Sequence, residues 1–268
     1  MKDKFILGRF LPGDSFMHRL DPRVKLVGMM VLLVVIFFAN SLTAYFAMLG
    51  LVALMIYASN MGLGVFISGL RPMLFLIIFT VTIQLLFTRT GTPLWQWGPI
   101  LLTVDGMENA VFIFLRFLLI IFISTVVTLT TAPLAITDAL ESLFSPVKNI
   151  LPVHEMALML SISLRFVPTL MEETDKIMDA QRARGVDFSQ GGVMQRIKSV
   201  VPILIPLFVS SFNRAYDLAT AMEARGYRGG EGRTKYRKLH WQSQDTWAMA
   251  IVVAAAVGII MLRYVTVA

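Results

Sequence analysis

The chain has 268 residues, of which 56% are hydrophobic and 15% are charged, with 24 Lys and Arg against 17 Asp and Glu and no cysteine. Soluble domains carry about a quarter charged residues, so this composition excludes an ordinary soluble enzyme and a disordered chain and indicates a membrane protein. The absence of cysteine excludes disulfides, thiolate nucleophiles and thiolate-ligated metals.

Five apolar segments predict transmembrane helices. They cover residues 24–39, 42–58, 65 or 72 to 87, 107–129 and 247–267. The predicted fold class is an all-α polytopic membrane protein with about five transmembrane helices and a cytosolic set of amphipathic helices. Its parts are a cytosolic N-terminal segment (1–23), spans one to four (24–130), a cytosolic helical region (131–244) and the last span (245–268).

The basic residues predict how these spans are oriented. With the N-terminus inside, residues 1–25, a loop at 59–72 and the region 131–246 are cytosolic and hold 21 of the 24 Lys and Arg. This distribution follows the positive-inside rule, so membrane topology explains the net charge of +7. The sequence therefore predicts a lipid bilayer as partner and no nucleic acid.

Catalytic signatures are missing from the sequence. The glycine-rich stretch at 226–235 lacks the Gly-Lys-Ser/Thr ending of a phosphate loop, and the three histidines are isolated from one another. The spans contain no acidic pair of the kind that a proton-coupled carrier uses. The chain is therefore predicted not to be an enzyme and to bind no metal or cofactor, with any energy source in another subunit.

Arg116 is the ionisable residue that lies deepest in a predicted span. A charge at membrane depth is a functional candidate by default, but a lone Arg can also bond backbone carbonyls or extend to the interface. The role of Arg116 stays open at this point.

The region 131–244 contains one short and two long predicted helices. The short helix begins at Pro133 and stops before Ser145-Pro146, and the long helices run from about 153 to 184 and from about 192 to 225. Both long helices end in the string Ala-x-x-Ala-Arg-Gly, and the two copies lie 41 residues apart.

A single copy of this string is explained by helix capping. Arg near the end of a helix complements the helix dipole, and Gly at the next position closes the helix in a left-handed conformation. Two copies on charged helix ends indicate more than capping. Ala183 and Ala224 keep the ends slim enough to enter a groove, and Arg184 and Arg225 can bond a carboxylate or carbonyl at its floor. The repetition therefore predicts two similar partner grooves.

The motifs of the chain resemble those of the EcfT/CbiQ family, the transmembrane T components of energy-coupling factor transporters. The Ala-Arg-Gly tips at 183–185 and 224–226 are similar to the paired coupling motifs of that family. The segment from Gly13 to Leu26, Gly-Asp-Ser-Phe-Met-His-Arg-Leu-Asp-Pro-Arg-Val-Lys-Leu, is similar to the stretch that leads into its first span. The resemblance covers essentially the whole chain.

This resemblance implies a scaffold and coupling subunit of an importer for vitamins or trace metal ions in a prokaryotic cell membrane. It implies two ABC-type ATPase subunits, of the EcfA and EcfA′ type, and a substrate-binding S component as partners. ATP and Mg²⁺ would be used by the ATPases and not by this chain. The implied ATPase-coupling residues are Ala183, Arg184, Gly185, Ala224, Arg225 and Gly226.

The first halves of the two long helices are predicted to form an apolar platform that holds the S component. The platform residues are Met156, Met159, Met171, Met194, Val201, Leu204 and Phe208. Methionine is unbranched and polarizable and can repack against different partners. Pro202 and Pro206 are predicted to bend the third helix. Packing of these residues against the spans of the same chain is the competing interpretation.

Two other functions remain as alternatives. A membrane-embedded assembly or insertion factor without a transport role would use the amphipathic region to bind substrate helices. An intramembrane enzyme would need a polar cluster at membrane depth, which the sequence does not indicate. The sequence does not determine the transported substrate, whether the transporter is dedicated or shared among S components, or whether the ATPases form a homodimer or a heterodimer.

Overall fold

A computed structural model describes residues 10–88, 90–97, 100–148, 150–186, 188, 192–229 and 239–267 of the chain. Within these residues there are ten α-helices and two short strands. The helices are α1 (Phe16–Arg19), α2 (Pro22–Val35), α3 (Leu42–Ser59), α4 (Leu63–Leu70), α5 (Leu74–Phe87), α6 (Val104–Thr130), α7 (Pro133–Phe144), α8 (Val153–Ala183), α9 (Val193–Ala224) and α10 (Ser243–Val267). The chain divides into two compact units, one made of Met1–Ala139 with Leu239–Ala268 and the other of Leu140–Lys238.

Four helical stretches of the described chain are long and apolar enough to cross a membrane. They are Leu42–Ser59, Leu63–Phe87, Val104–Thr130 and Ser243–Arg263. These stretches confirm the predicted class, an all-α polytopic membrane protein.

The first predicted span, residues 24–39, forms a shorter helix than expected. Helix α2 ends at Val35 after 14 residues, a length of about 21 Å against a hydrocarbon core of about 30 Å. The amides of Phe37 and Phe38 bond the carbonyls three residues before them, which tightens the last turn and ends the helix. Ile36 and Ala39 remain buried beyond that end.

The third span begins near the earlier of its two predicted starts, residue 65, so most of the predicted loop at 59–72 is helical. Helix α3 ends with Asn60 in the left-handed conformation, at a φ of 53°, and α4 begins at Leu63. A 3-10 turn, Arg71–Met73, then joins α4 to α5.

A two-stranded antiparallel hairpin precedes α6. Strand β1 (Pro93–Trp97) pairs with β2 (Ile100–Thr103), and Trp95 lies opposite Leu102. No strand was predicted here, although the alternation of Trp and Gln at residues 95–97 is typical of one. Thr103 then caps α6, because its side chain accepts a hydrogen bond from the amide of Gly106.

The core of the first unit joins α2, α3, α6 and α10. Leu32, Met48, Leu119 and Ile123 are fully buried in it, and Ile259 is nearly so. Helices α3 and α10 expose apolar side chains such as Phe46 and Val257 away from this core, whereas α6 has no exposed residue between 115 and 130. That arrangement is the one expected of membrane helices that pack on one another and meet lipid elsewhere.

A buried polar cluster, here called the N-terminal clasp, joins the start of α2 to the end of α6 and the start of α10. It consists of Asp21, Lys25, Thr130 and Asp245. The ammonium of Lys25 donates to the carbonyl of Thr130 at 3.0 Å, and the amide of Asp21 donates to the carboxylate of Asp245 at 2.7 Å. All four residues are at least 93% buried. Three chain segments are therefore tied together through backbone groups.

Asp245 has a second function within its own helix. Its other carboxylate oxygen accepts from the amide of Gln242 at 2.8 Å, which is one half of a capping box at the start of α10. One side chain thus satisfies two backbone donors from segments far apart in sequence.

Arg116 lies near the middle of α6 and is partly buried. Its Nη2 donates to the Tyr45 hydroxyl at 3.1 Å, and its guanidinium lies 5.3 Å from the centroid of the Phe37 ring. Among the described residues its partner is therefore a tyrosine hydroxyl, not the backbone carbonyl considered from the sequence. These contacts hold the turn between α2 and α3 against α6.

We predict that Asp245→Ala destabilises the first unit. The substitution leaves the amides of Asp21 and Gln242 without an acceptor in a buried site, which costs about 2–4 kcal/mol. The thermal unfolding midpoint of the purified protein in detergent should fall, and Asp245→Asn, which keeps a carbonyl acceptor, should restore part of it. Asp217→Ala, at an exposed aspartate, is the matched control. Equal midpoints for Asp245→Ala and the unaltered protein would contradict the clasp.

Candidate functional site: two matched helix ends

Helices α8 and α9 pack on each other in opposite directions within the second unit. Glu173 accepts a hydrogen bond from the Ser210 hydroxyl, and the Arg214 guanidinium donates to its second oxygen at 3.1 Å. Arg214 also lies 5.6 Å from the centroid of the Phe166 ring. Residues 158–165 of α8 line the same cavity as residues 218–229, at the end of α9. The start of one helix therefore lies beside the end of the other.

The end of α8 is a Schellman cap. The amide of Gly185 donates to the carbonyl of Arg182 at 2.9 Å, and the amide of Val186 donates to the carbonyl of Gln181 at 3.1 Å. Gly185 has a φ of +86°, a left-handed conformation that side chains disfavour. The helix therefore requires glycine at this position.

The end of α9 repeats this geometry. The amide of Gly226 donates to the carbonyl of Glu223 at 2.9 Å, the amide of Tyr227 donates to the carbonyl of Met222 at 3.0 Å, and Gly226 has a φ of +73°. The capping interpretation is therefore confirmed for the glycine in both copies. It leaves the alanines and arginines unexplained, because a Schellman cap is made by backbone groups.

All six residues of the two tips are exposed, namely Ala183, Arg184, Gly185, Ala224, Arg225 and Gly226. Within the part of the chain that the structure describes, the side chains of Arg184 and Arg225 make no hydrogen bond and no ion pair. The two guanidinium groups are thus available to groups outside the chain.

The antiparallel arrangement places the two tips far apart. Arg225 lines the cavity beside Arg165, and Arg184 follows Arg165 by nineteen residues of helix and cap. At a rise of 1.5 Å per residue this is a separation of roughly 30 Å. The tips therefore lie at opposite ends of the helix pair and cannot both contact one small site.

The predicted platform residues form exposed apolar faces on α8 and α9. On α8 they are 3 and 12 residues apart, and on α9 they are 7, 3 and 4 residues apart. At about 100° per residue, each set falls within an arc of about 120° on one side of its helix. Their exposed fractions are Met156 52%, Met159 66%, Met171 65%, Met194 69%, Val201 45%, Leu204 54% and Phe208 65%. The packing of α8 and α9 on each other within the second unit does not bury these side chains.

The prolines of the long helices do not interrupt them. Pro202 and Pro206 lie inside α9, and Pro168 lies inside α8. A bend at Pro202 and Pro206 stays a prediction.

Two polar contacts of the second unit were missed from the sequence. One is the contact of Glu173 with Arg214 and Ser210. The other joins His154 to Glu141 at 3.0 Å, between the start of α8 and the end of α7. Charged residues on an amphipathic helix give no signal that identifies a partner 41 residues away, so sequence reasoning had no means to find the first pair.

The comparisons with known proteins point to one family. The profile of the CbiQ family, described as a cobalt transport protein, matches residues 13–236. The chain is 52% identical to the "Energy-coupling factor transporter transmembrane protein EcfT" of Lacticaseibacillus paracasei, over 97% of this chain and 98% of the relative. It is 51% identical to the protein of that name in Streptococcus equi subsp. equi, over 97% of each chain. It is 48% identical to the one in Bacillus subtilis, over 98% of this chain and the whole relative.

We predict that Glu173→Gln loosens the contact between α8 and α9. The substitution removes the charge opposite Arg214 in a half-buried site, with an expected cost of roughly 1 kcal/mol. Amide hydrogen exchange in the peptides of both helices around this contact should become about fivefold faster. Glu172→Gln removes the neighbouring exposed carboxylate and should leave the exchange unchanged. Equal exchange in both variants would show that the contact does not hold the helices together.

Proposed function

Because the chain belongs to the CbiQ/EcfT family, the transmembrane components of energy-coupling factor transporters, we propose that it couples two ABC-type ATPase subunits to a substrate-binding S component. The observation that carries this proposal is the pair of matched, exposed Ala-Arg-Gly tips. Each tip is the C-terminal end of its helix, and the two lie at opposite ends of the antiparallel pair of α8 and α9. Two identical tips fit two similar receiving sites, and a dimer of ATPases supplies two.

The chemistry of each tip supports insertion into a groove. Alanine adds only a methyl group to the helix end, so the backbone can approach a partner closely. The Arg side chain then extends from the last turn with five donors in a planar group, which suits a carboxylate or a row of carbonyls. Because Schellman caps fix the backbone at both helix ends, no backbone entropy is lost there on binding, and only the Arg side chains must be ordered.

The exposed apolar faces support a protein partner for α8 and α9. A contiguous apolar surface of this extent is unfavourable in water and is typical of an interaction site. Methionines on α8 allow the same surface to adapt to more than one partner. We assign this surface, formed by the seven platform residues, to the S component.

The remaining parts of the proposal follow from charge and from family membership. The excess of Lys and Arg supports a cell-membrane orientation with the N-terminus and the coupling helices in the cytoplasm. ATP and Mg²⁺ are then used by the ATPase partners, and vitamins or trace metal ions are the transported class. The alternative of an assembly factor loses its support, because the relatives named above are transporter components.

We predict that the double substitution Arg184→Glu and Arg225→Glu abolishes coupling. A negative charge at each tip would face the carboxylates or carbonyls that bound the guanidinium, at a cost of several kcal/mol if the contact is desolvated. Binding of the two ATPases and ATP-dependent uptake should both be lost in proteoliposomes that contain the whole complex. Lys176→Glu, an exposed cation two turns before the first tip, is the control and should leave both intact. Normal assembly and uptake by the double variant would refute the proposal.

We predict that the S component shields the apolar platform from labelling. The chain has no native cysteine, so Met156→Cys, Met159→Cys, Val201→Cys and Leu204→Cys each create a single reactive site. A maleimide probe should react at least severalfold more slowly at these positions when the S component is bound. Glu172→Cys, exposed on the other side of α8, should react equally with and without it. Equal reactivity at the platform positions with and without the S component would show that the S component does not cover them.

A further inference from the structure

A cavity of about 650 Å³ lies between the first half of α8 and the end of α9. Arg165, Arg225 and Arg228 line it, together with Ser161 and an apolar part that includes Leu158 and Met222. Arg165 and Arg228 are outside the Ala-Arg-Gly motif, and the proposed function assigns them nothing.

The charge in this cavity is not compensated by the described part of the chain. None of the lining residues is acidic. Within residues 150–186 and 192–229, the side chains of Arg165, Arg225 and Arg228 make no hydrogen bond and no ion pair, whereas Arg214 is paired with Glu173. Three guanidinium groups around one space attract a negatively charged group, which binds them through charge-assisted hydrogen bonds.

The position of the cavity on α8 favours a protein carboxylate over a lipid headgroup. Arg165 follows Met156 by nine residues, which is two and a half turns of helix and therefore the opposite side. Met156 belongs to the apolar platform, which in the proposed function faces the S component at the membrane. The cavity thus opens away from the membrane, toward the ATPases.

We propose that this cavity receives an acidic side chain of the ATPase that binds the second tip. The proposal rests on the proposed function and deepens it: the tip of α9 enters the ATPase, and a carboxylate of the ATPase enters the cavity beside the tip. Leu158 and Met222 would contact the methylene groups of that acidic residue.

Among the described residues, the first tip has no comparable group of unpaired arginines beside it. Arg182, the cation nearest to Arg184 on α8, is paired with Asp179 of its own helix at 2.8 Å. The two tips are therefore alike in backbone, and among the described side chains only the second tip has unpaired guanidinium groups beside it.

Carbodiimide coupling tests the contact directly in the complete complex with both ATPases and the S component. Arg165→Lys and Arg228→Lys keep the positive charge and place an amine in the cavity, where it can form an amide with a carboxylate in contact. Mass spectrometry should find an Asp or Glu of one ATPase joined to residue 165 or 228. Arg182→Lys is the control and should couple to Asp179 of its own chain. Coupling at 165 and 228 only to this chain, or to no residue, overturns the proposal.

Affinity measurements separate this inference from the proposed function. Arg165→Glu should weaken binding of the ATPase at the second tip by about tenfold or more and leave the other ATPase unaffected. If the double tip variant loses coupling while Arg165→Glu has no effect, the cavity inference alone fails. If the double tip variant is normal, the proposed function fails. If ATPase affinity depends on anionic lipid in the nanodisc and Arg165→Glu removes that dependence, the occupant is a lipid headgroup and the proposal is overturned.

Discussion

The contact of Glu173 with Arg214 and Ser210 determines where both candidate coupling tips lie. It joins α8 and α9 about two thirds of the way along each helix, and because the helices run in opposite directions, their ends point away from each other. A partly buried ion pair with an additional hydroxyl donor has a preferred geometry, whereas apolar contacts alone permit sliding. A shift along the helices would separate Glu173 from Arg214. The separation of the tips thus depends on one polar contact and on helix length.

Capping and coupling use different atoms of the same six-residue string. The glycines are required by their left-handed φ angles, and the backbone groups of the last turn are satisfied by the two cap hydrogen bonds. The Arg and Ala side chains take no part in those bonds and are exposed. A repeated helix end of this kind therefore serves two purposes, one structural and one directed at a partner, and only the second needs Arg and Ala.

The sequence predicted the helices of the region 131–244 well, because strong end signals mark them. The predicted starts at Pro133, 153 and 192 and the glycine ends agree with α7, α8 and α9 to within about one residue. In the first unit, hydropathy located the spans but not their lengths. Hydropathy does not show where α2 ends. The helix stops at Val35, but the residues after it are buried and equally apolar, so the hydropathy does not change there.

What the sequence could not supply is the pairing of residues distant along the chain. Lys25 with Thr130 and Asp21 with Asp245 are joined across 105 and 224 residues, and no local pattern encodes such a distance. The cationic cavity has the same origin, because Arg165 and Arg228 come together only through the antiparallel packing. Asp21 and Lys25 do fall within the N-terminal segment that resembles the family. The sequence therefore marked these two residues, but it did not show which distant residues they contact.

The most direct measurement of the central claim is the distance between the two tips in the isolated chain. Spin labels at Ala183→Cys and Ala224→Cys, in a protein without native cysteine, can be measured by pulsed electron resonance. The account predicts a single distribution centred at roughly 30 Å or more, from the rise per residue of the antiparallel pair. A distribution centred below about 20 Å would mean that the tips lie side by side, and it would contradict two separate partner sites.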